Sequence, residues 1–552
     1  MNETLNHYHE LSKHHPQRMA PGPGRLDWVN QPDPFRHYEG APRVELPLLA
    51  GELPVAYDDL FRPQTVAARP FTRDNLAHLL ELALGLADWK SFRGNRWALR
   101  CNPSSGNLHP TEGYLITSAV AGLDAGVYHY RPHDHGLERR AGAPFSWPDG
   151  VLVALTGIHW REAWKYGMRA FRYCQHDCGH ALAALGYGAA ALGWPTRLLD
   201  HWGDEAIAAL TGVDRAGDSP PGDHETPEAL LWIGAGEPPA MDEVLGALAG
   251  VPWQGRANAL SREHREWRDI PAVAAATVKP AERAATPAPW PALPPLPPVS
   301  SLAVSHLVRR RRSAQAFDGV SGIDARAFFR MVDALMPRPV PPWTLTRDAP
   351  AVHPVFFVHR VAGLEPGVYG LVRDAGERDR LAAAMAPDWQ WSAVPGCPAH
   401  LPLFLLGLGD TRGFAATVSC QQDIAADSAF SLAMLARFDD IQGQPWRYRR
   451  RFWEAGLMGQ VLYLEAEAAG VQGTGIGCYF DDLVHEALGL DTTRYQDLYH
   501  FTVGTAVLDS RLESEPPYGH LADRPRVPAV PEGPRDAAGI EGATARDPDG
   551  RR

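Results

Sequence analysis

Apolar and polar positions divide the chain into two patterned bodies, and the bodies carry the same patterns. At 120–128 the sequence VAGLDAGVY follows an apolar run, and at 361–369 VAGLEPGVY follows another. Each fits a strand, a glycine turn and a second strand. Seven of the nine positions are identical. Farther on, DCGHALAALGYGAAALGW at 177–194 aligns without gaps with EAGLMGQVLYLEAEAAGV at 454–471, sharing Gly179/Gly456, Leu185/Leu462, Ala189/Ala466, Ala191/Ala468 and Gly193/Gly470. Both predict Ala-rich, close-packed central helices ended by glycine. The two matches start 57 residues apart in the first copy and 93 in the second, so the second copy carries 36 extra residues, placed around 374–428. Internal duplication of an α+β unit is the economical reading.

Between the bodies, the chain from about 251 to 301 shifts to Ala and Pro and ends in TPAPWPALPPLPPVSS, which predicts an extended, semi-rigid connector. The stretch after 512 is rich in Pro, Gly and charge and predicts disorder. The expected division is an N-terminal segment 1–20, a domain 21–250, a linker 251–300, a second domain 301–512 and a tail 513–552.

The 552 residues exceed one ordinary core. A net charge of −12 disfavours polynucleotide or an acidic membrane surface as the main partner, while leaving room for a local cluster that binds one phosphate. Six cysteines without zinc-type spacing fit a reducing cytoplasm, and no run approaches the roughly 20 apolar residues of a membrane helix. No metal site is expected: Cys174/Cys178 and His176/His180 lie on different helical faces, and His7, His9, His14 and His15 read as a surface segment.

Four stretches carry candidate chemistry. RCNPSSGNLHPTEGYL at 100–115 is a loop of turn-formers and small hydroxyl side chains, suited to wrapping something polar. RRRRSAQAFDG at 309–319 offers guanidinium forks and a hydroxyl for a phosphate, or else a solvated basic helix end. GTGIGCYFDD at 473–482 has glycines that let backbone N–H groups approach a flat ligand, although it lacks the dinucleotide fingerprint. Lys165 and Tyr166 form a potential proton-handling pair at a helix entry, or an exposed helix start.

Together these stretches resemble the FMN-dependent nitroreductase-like oxidoreductases, specifically tandem-domain members similar to the SagB/ThcOx-type dehydrogenases that oxidise azolines in modified peptides. The resemblance implies an α+β fold of two tandem nitroreductase-like domains forming an intramolecular pseudo-dimer. It implies that Arg311, Arg312, Ser313 and Gln315 hold the FMN phosphate, with Gln315 replacing a family cation and Arg511 in VLDSRL as a further phosphate ligand. It implies that Pro103, Ser104, Ser105 and Asn107 wrap the ring edge, that Gly475, Ile476 and Gly477 approach the reduced ring, and that Lys165 and Tyr166 handle the proton.

Copy one reads FRPQTVAARP where a second phosphate segment would fall, and copy two reads TRDAPAVHP where a second ring loop would fall. One competent and one degenerate site are expected. The implied activity is a dehydrogenase acting on a small molecule or peptide, with a peptide-modifying enzyme as a possible partner. An NAD(P)H-fuelled nitro or quinone reductase and a non-catalytic flavin- or peptide-binding scaffold are the alternatives.

Overall fold

The computed structural model describes residues 2–283, 289–346, 348–490 and 494–529. Each half is built on a seven-stranded sheet in which every neighbouring pair is antiparallel. In the first half the order is Thr196–Leu198, Thr226–Gly234, Gly150–Gly157, Thr111–Thr117, Gly126–Arg131, Gly136–Ala141, Arg43–Glu45. In the second it is Gln472–Ile476, Tyr495–Gly504, Phe430–Arg437, Val352–Val358, Gly367–Leu371, Leu403–Leu408, Ser392–Ala393. The duplicated nine-residue stretch joins equivalent strands in both. There Tyr128 donates to Asp124 O at 2.9 Å and Tyr369 to Glu365 O at 2.7 Å, the same turn-closing bond twice. Helices Arg73–Leu84 and Ala325–Ala334 are equivalent too, capped by Thr72 and Asp324. The expected insertion lies between strands Gly367–Leu371 and Phe430–Arg437 and contributes helices Arg378–Ala384, Arg412–Val418 and Asp423–Ala426.

The halves meet along the two 22-residue helices Ala170–Ala191 and Arg447–Ala468, both almost wholly buried. Matched glycines mark their crossing. A Cβ on Gly179 would stand 2.3 Å from Trp453 O, and one on Gly456 would stand 2.3 Å from His176 O. Both helices end as expected at left-handed glycines, Gly193 at φ 73° and Gly470 at φ 78°.

Both ends of the described chain reach across this interface. Helix Glu3–Leu11 packs on the second half, where His9 Nε2 lies 2.8 Å from Gln496 Oε1 and Lys13 Nζ donates to Asp482 at 3.0 Å. Asp481 of the second half accepts from His14 N and from the guanidinium of Arg169, both at 2.8 Å, and also pairs with Arg172. His9 and His14 are therefore buried anchors, contrary to the expected surface segment, because the second half covers them.

The tail corrects a second expectation. Residues 513–529 fold back onto the first half, with Glu513–Glu515 pairing antiparallel to Trp89–Ser91 and Arg526–Val527 pairing parallel to Leu48–Leu49. Residues 530–552 lie outside the described residues.

The linker is also more than a spacer. Arg256–Ala257 pairs with Tyr38–Glu39, helix Asp269–Ala276 buries Ile270 and Val273, and Val299 N and Ser300 N donate to Asp58. Local composition reports how few core residues these stretches own. It carries no trace of partners two hundred residues away.

Candidate active site

A cavity of about 650 Å³ opens between the halves, within the range of roughly 300–1,000 Å³ usual for cofactor and ligand sites. It brings together almost every residue the sequence nominated. From the first half come Pro103, Ser104, Ser105, Asn107 and Tyr166; from the second come Arg311, Arg312, Ser313, Gln315, Gly475, Ile476 and Gly477.

Arg311 sits at the C-terminal end of helix Val304–Arg310 and is 3% exposed. Its Nη2 donates to Arg100 O at 3.1 Å and its guanidinium lies 4.9 Å from the Tyr463 ring centre. Its Nε and Nη1 have no hydrogen-bond partner. A buried guanidinium with free donors on a cavity wall fits an anion. Arg312, by contrast, binds Asp88 and the carbonyls of Ala87, Arg309 and Arg311, so it tethers the two halves. Ser313 Oγ lies 2.8 Å from Tyr463 Oη.

Arg511 departs from expectation. It is outside the cavity lining, largely exposed, and its guanidinium closes on Asp509 at 2.7–2.8 Å. The neighbouring Val507, Leu508 and Asp509 form the wall instead.

The 103–107 loop is pinned from below. Ser105 donates to Asp177 through N, at 3.1 Å to Oδ2, and through Oγ, at 3.2 Å to Oδ1. Ser104 Oγ accepts from His109 N at 2.7 Å. Gly106 is at φ 61°, where a Cβ would also come within 2.5 Å of Tyr166 Oη and 2.9 Å of Lys165 Nζ. The glycine thus lets the loop settle on the Lys165–Tyr166 pair. Tyr166 reaches the cavity, whereas Lys165 stands behind the loop and outside the lining.

The glycines of 473–477 also make room for aromatic side chains. Gln472–Ile476 is an edge strand, and aromatic side chains lie against the glycines: a Cβ on Gly475 would sit inside the Tyr499 hydroxyl, and one on Gly477 would strike the Tyr173 ring at 2.4 Å. The Gly475 N–H already donates to Tyr463 Oη at 3.0 Å.

Sequence reasoning missed the groups beneath the loop. Asp177 lines the cavity, and burial pushes its carboxyl up to about 8 against the lowering effect of its Ser105 bonds. Glu162 is buried with both carboxyl oxygens unpartnered, and burial followed by the nearby Asp177 holds it well above the ordinary carboxylate range. Burial, then Glu162, likewise raises the Tyr166 phenol. Tyr173, His180, Tyr463 and Tyr499 complete the wall. The available signal was an acid set in the Ala-rich helix that the repeat had already marked as central.

The pseudo-symmetric position holds a different structure. Glu454, aligned with Asp177, accepts from Ala351 N and Val352 N, repeating the pinning of the 103–107 loop. The space above it is only about 60 Å³, walled by Trp290 of the linker, Trp343 and Trp453.

The chain has a nitroreductase-like fold, with two such domains in tandem. No family model matches the chain. A nitroreductase-type protein of Methanocaldococcus jannaschii is 27% identical over 157 residues, which is 26% of this chain and 76% of that protein. A crystal structure of a nitroreductase-type protein from Anabaena variabilis superposes over 92% of this chain and 100% of its own, with a TM-score of 0.64 and 20% identity. A nitroreductase-type structure from Exiguobacterium sibiricum, solved in complex with FMN, covers 38% of this chain at 15% identity and a TM-score of 0.21.

Proposed function

We propose that the chain is an FMN-dependent oxidoreductase of the SagB/ThcOx dehydrogenase type, acting in the cytoplasm on a small molecule or a peptide, in the latter case beside a peptide-modifying enzyme. One observation carries the reading: the unpartnered donors of buried Arg311, from one half, share a cavity with the 103–107 loop and Tyr166 of the other. Bound there, FMN would supply two-electron transfer between its ring and a substrate. Arg311 would hold the phosphate, helped by the Ser313 hydroxyl at the cavity mouth. Pro103, Ser104, Ser105 and Asn107 would border the ring.

Tyr166 keeps its proton at neutral pH, because burial and the nearby Glu162 oppose a phenolate. It therefore offers an O–H at the cavity wall, with Lys165 Nζ 5.2 Å from its ring. Asp177, with its raised carboxyl, holds a second proton under the loop. This arrangement supports proton delivery and retrieval at one wall.

The test pairs flavin content with turnover. General acid–base groups contribute about 10²–10⁴-fold in rate, so the Lys165→Ala/Tyr166→Phe double variant should lose that much turnover while its flavin absorbance stays at the parent level. Parent-level turnover with normal flavin would remove the pair from the reaction. A purified chain with no flavin absorbance that takes up no added FMN would remove the flavoenzyme reading altogether.

A further inference from the structure

The insertion unique to the second half brings one cysteine against another that lines the cavity. Cys420 follows helix Arg412–Val418, and Cys478 follows the edge strand Gln472–Ile476 and lines the cavity. Their Sγ atoms are 2.8 Å apart, both thiols are free, and both residues are only half-buried. The approach depends on an unusual backbone: Cys420 and Gln421 are left-handed, at φ 55° and 59°, a conformation that non-glycine residues adopt at a cost. Gln422 braces the turn, its amide donating to Cys478 O at 2.9 Å and to Ser419 O at 2.7 Å. Nothing in the flavin reading uses either sulfur.

We propose that Cys420 and Cys478 form a redox-active dithiol whose reaction partners are small-molecule disulfides and dithiols entering the cavity. The Cys478 thiolate attacks one sulfur of the incoming disulfide RSSR; that S–S bond breaks, and RS⁻ leaves with the electron pair and takes up a proton. The Cys420 thiol then loses its proton to solvent and attacks the Cys478 sulfur of the mixed disulfide, expelling the second RS⁻, which is also protonated. Two protein thiols are oxidised to one intramolecular disulfide and one RSSR is reduced to two RSH, so the exchange balances without another oxidant. An entering dithiol runs the steps in reverse.

The surroundings favour Cys478 as the attacking sulfur. The Cys420 hydrogen bond, then His14 and Arg169 beside it, pull the Cys478 thiol down to about 5, while Cys420 is held above the ordinary thiol range by its bond to Cys478 and by burial. Cys101, Cys174 and Cys178 are buried, and burial raises each of them, so none competes. Closing the disulfide would fasten the 419–422 turn to the cavity wall and alter the space beside Gly477.

The experiment uses the full chain, equilibrated with graded ratios of reduced and oxidised dithiothreitol or of glutathione and glutathione disulfide, then trapped by alkylation. The oxidised chain should carry two alkyl groups fewer than the reduced one by intact mass, and peptide mapping should find a Cys420–Cys478 crosslink that reduced dithiothreitol reverses. Cys478→Ser should form no crosslink and Cys397→Ser should form the normal one. Because the crosslink is read on parent protein, an ill-folded variant does not spoil the result. A crosslink involving other cysteines, or Cys420 and Cys478 both still alkylated in fully oxidising buffer, would overturn the proposal. Flavin is quantified in the same samples by absorbance, so a chain that closes the disulfide without holding flavin separates this inference from the proposed function, on which it does not depend.

Discussion

Arg311 and Arg511 were indistinguishable in the sequence as phosphate ligands, and their surroundings separate them. Charge-assisted hydrogen bonds contribute about 1.5–3 kcal/mol each, so Arg311→Ala should lose FMN on gel filtration. Arg511→Ala should retain it, since that guanidinium already closes on Asp509 at the exposed rim. Flavin-to-protein absorbance ratios decide the matter; equal loss from both variants would return Arg511 to the phosphate site, and full retention by Arg311→Ala would reject the phosphate assignment. Asp177 makes a prediction in pH. Its folded carboxyl titrates near 8 against an ordinary value of 3.8, so the folded state holds a proton there that the unfolded chain has released. Its contribution to stability is complete below about pH 4 and is lost as pH rises towards 8. Between those limits the parent's urea midpoint should fall relative to that of Asp177→Asn, and parallel profiles would contradict the raised carboxyl. Arg311 was legible because clustered arginines before a serine form a local signal. Asp177 was not, because an acid on a helix looks the same whether the helix is half or fully buried.

At the scale of elements, the crossing of the two central helices rests on Gly179 and Gly456. Overpacking typically costs about 1–3 kcal/mol, and here the obstacle is backbone carbonyl that cannot rotate away. Gly179→Ala should therefore cost at least that much stability, read as a lower denaturation midpoint, whereas Gly246→Ala, on the open helix Met241–Leu248, should not lower the midpoint. These helices and the duplicated strands were legible because apolar periodicity and repetition are internal to each segment. The clips Arg256–Ala257 and Glu513–Glu515 were not, since two or three residues carry no period and their pairing is fixed by distant chain. The glycines at 473–477 were noticed for their missing side chains, and only the fold displays Tyr499 and Tyr173 in the vacated space.

At the scale of the whole molecule, the repeat made the pseudo-dimer readable and its broken motifs made the asymmetry readable. How the second site was closed required the structure, where indole rings from the linker and from the second half crowd a space of about 60 Å³. Purified protein saturated with FMN should accordingly carry one flavin per chain by absorbance and amino-acid analysis. Two per chain would contradict the filled second site.

The crossed ends of the chain carry a further consequence. The N-terminal helix anchors on the second half and the 513–529 segment on the first, so the two walls of the cavity are joined by the linker and by both ends at once. A site assembled from separate subunits is subject to mass action between them, and dilution takes it apart. Here the partner surface is supplied at a fixed effective concentration set by chain length. Forming the site is then a first-order event, indifferent to how many copies of the protein share the solution.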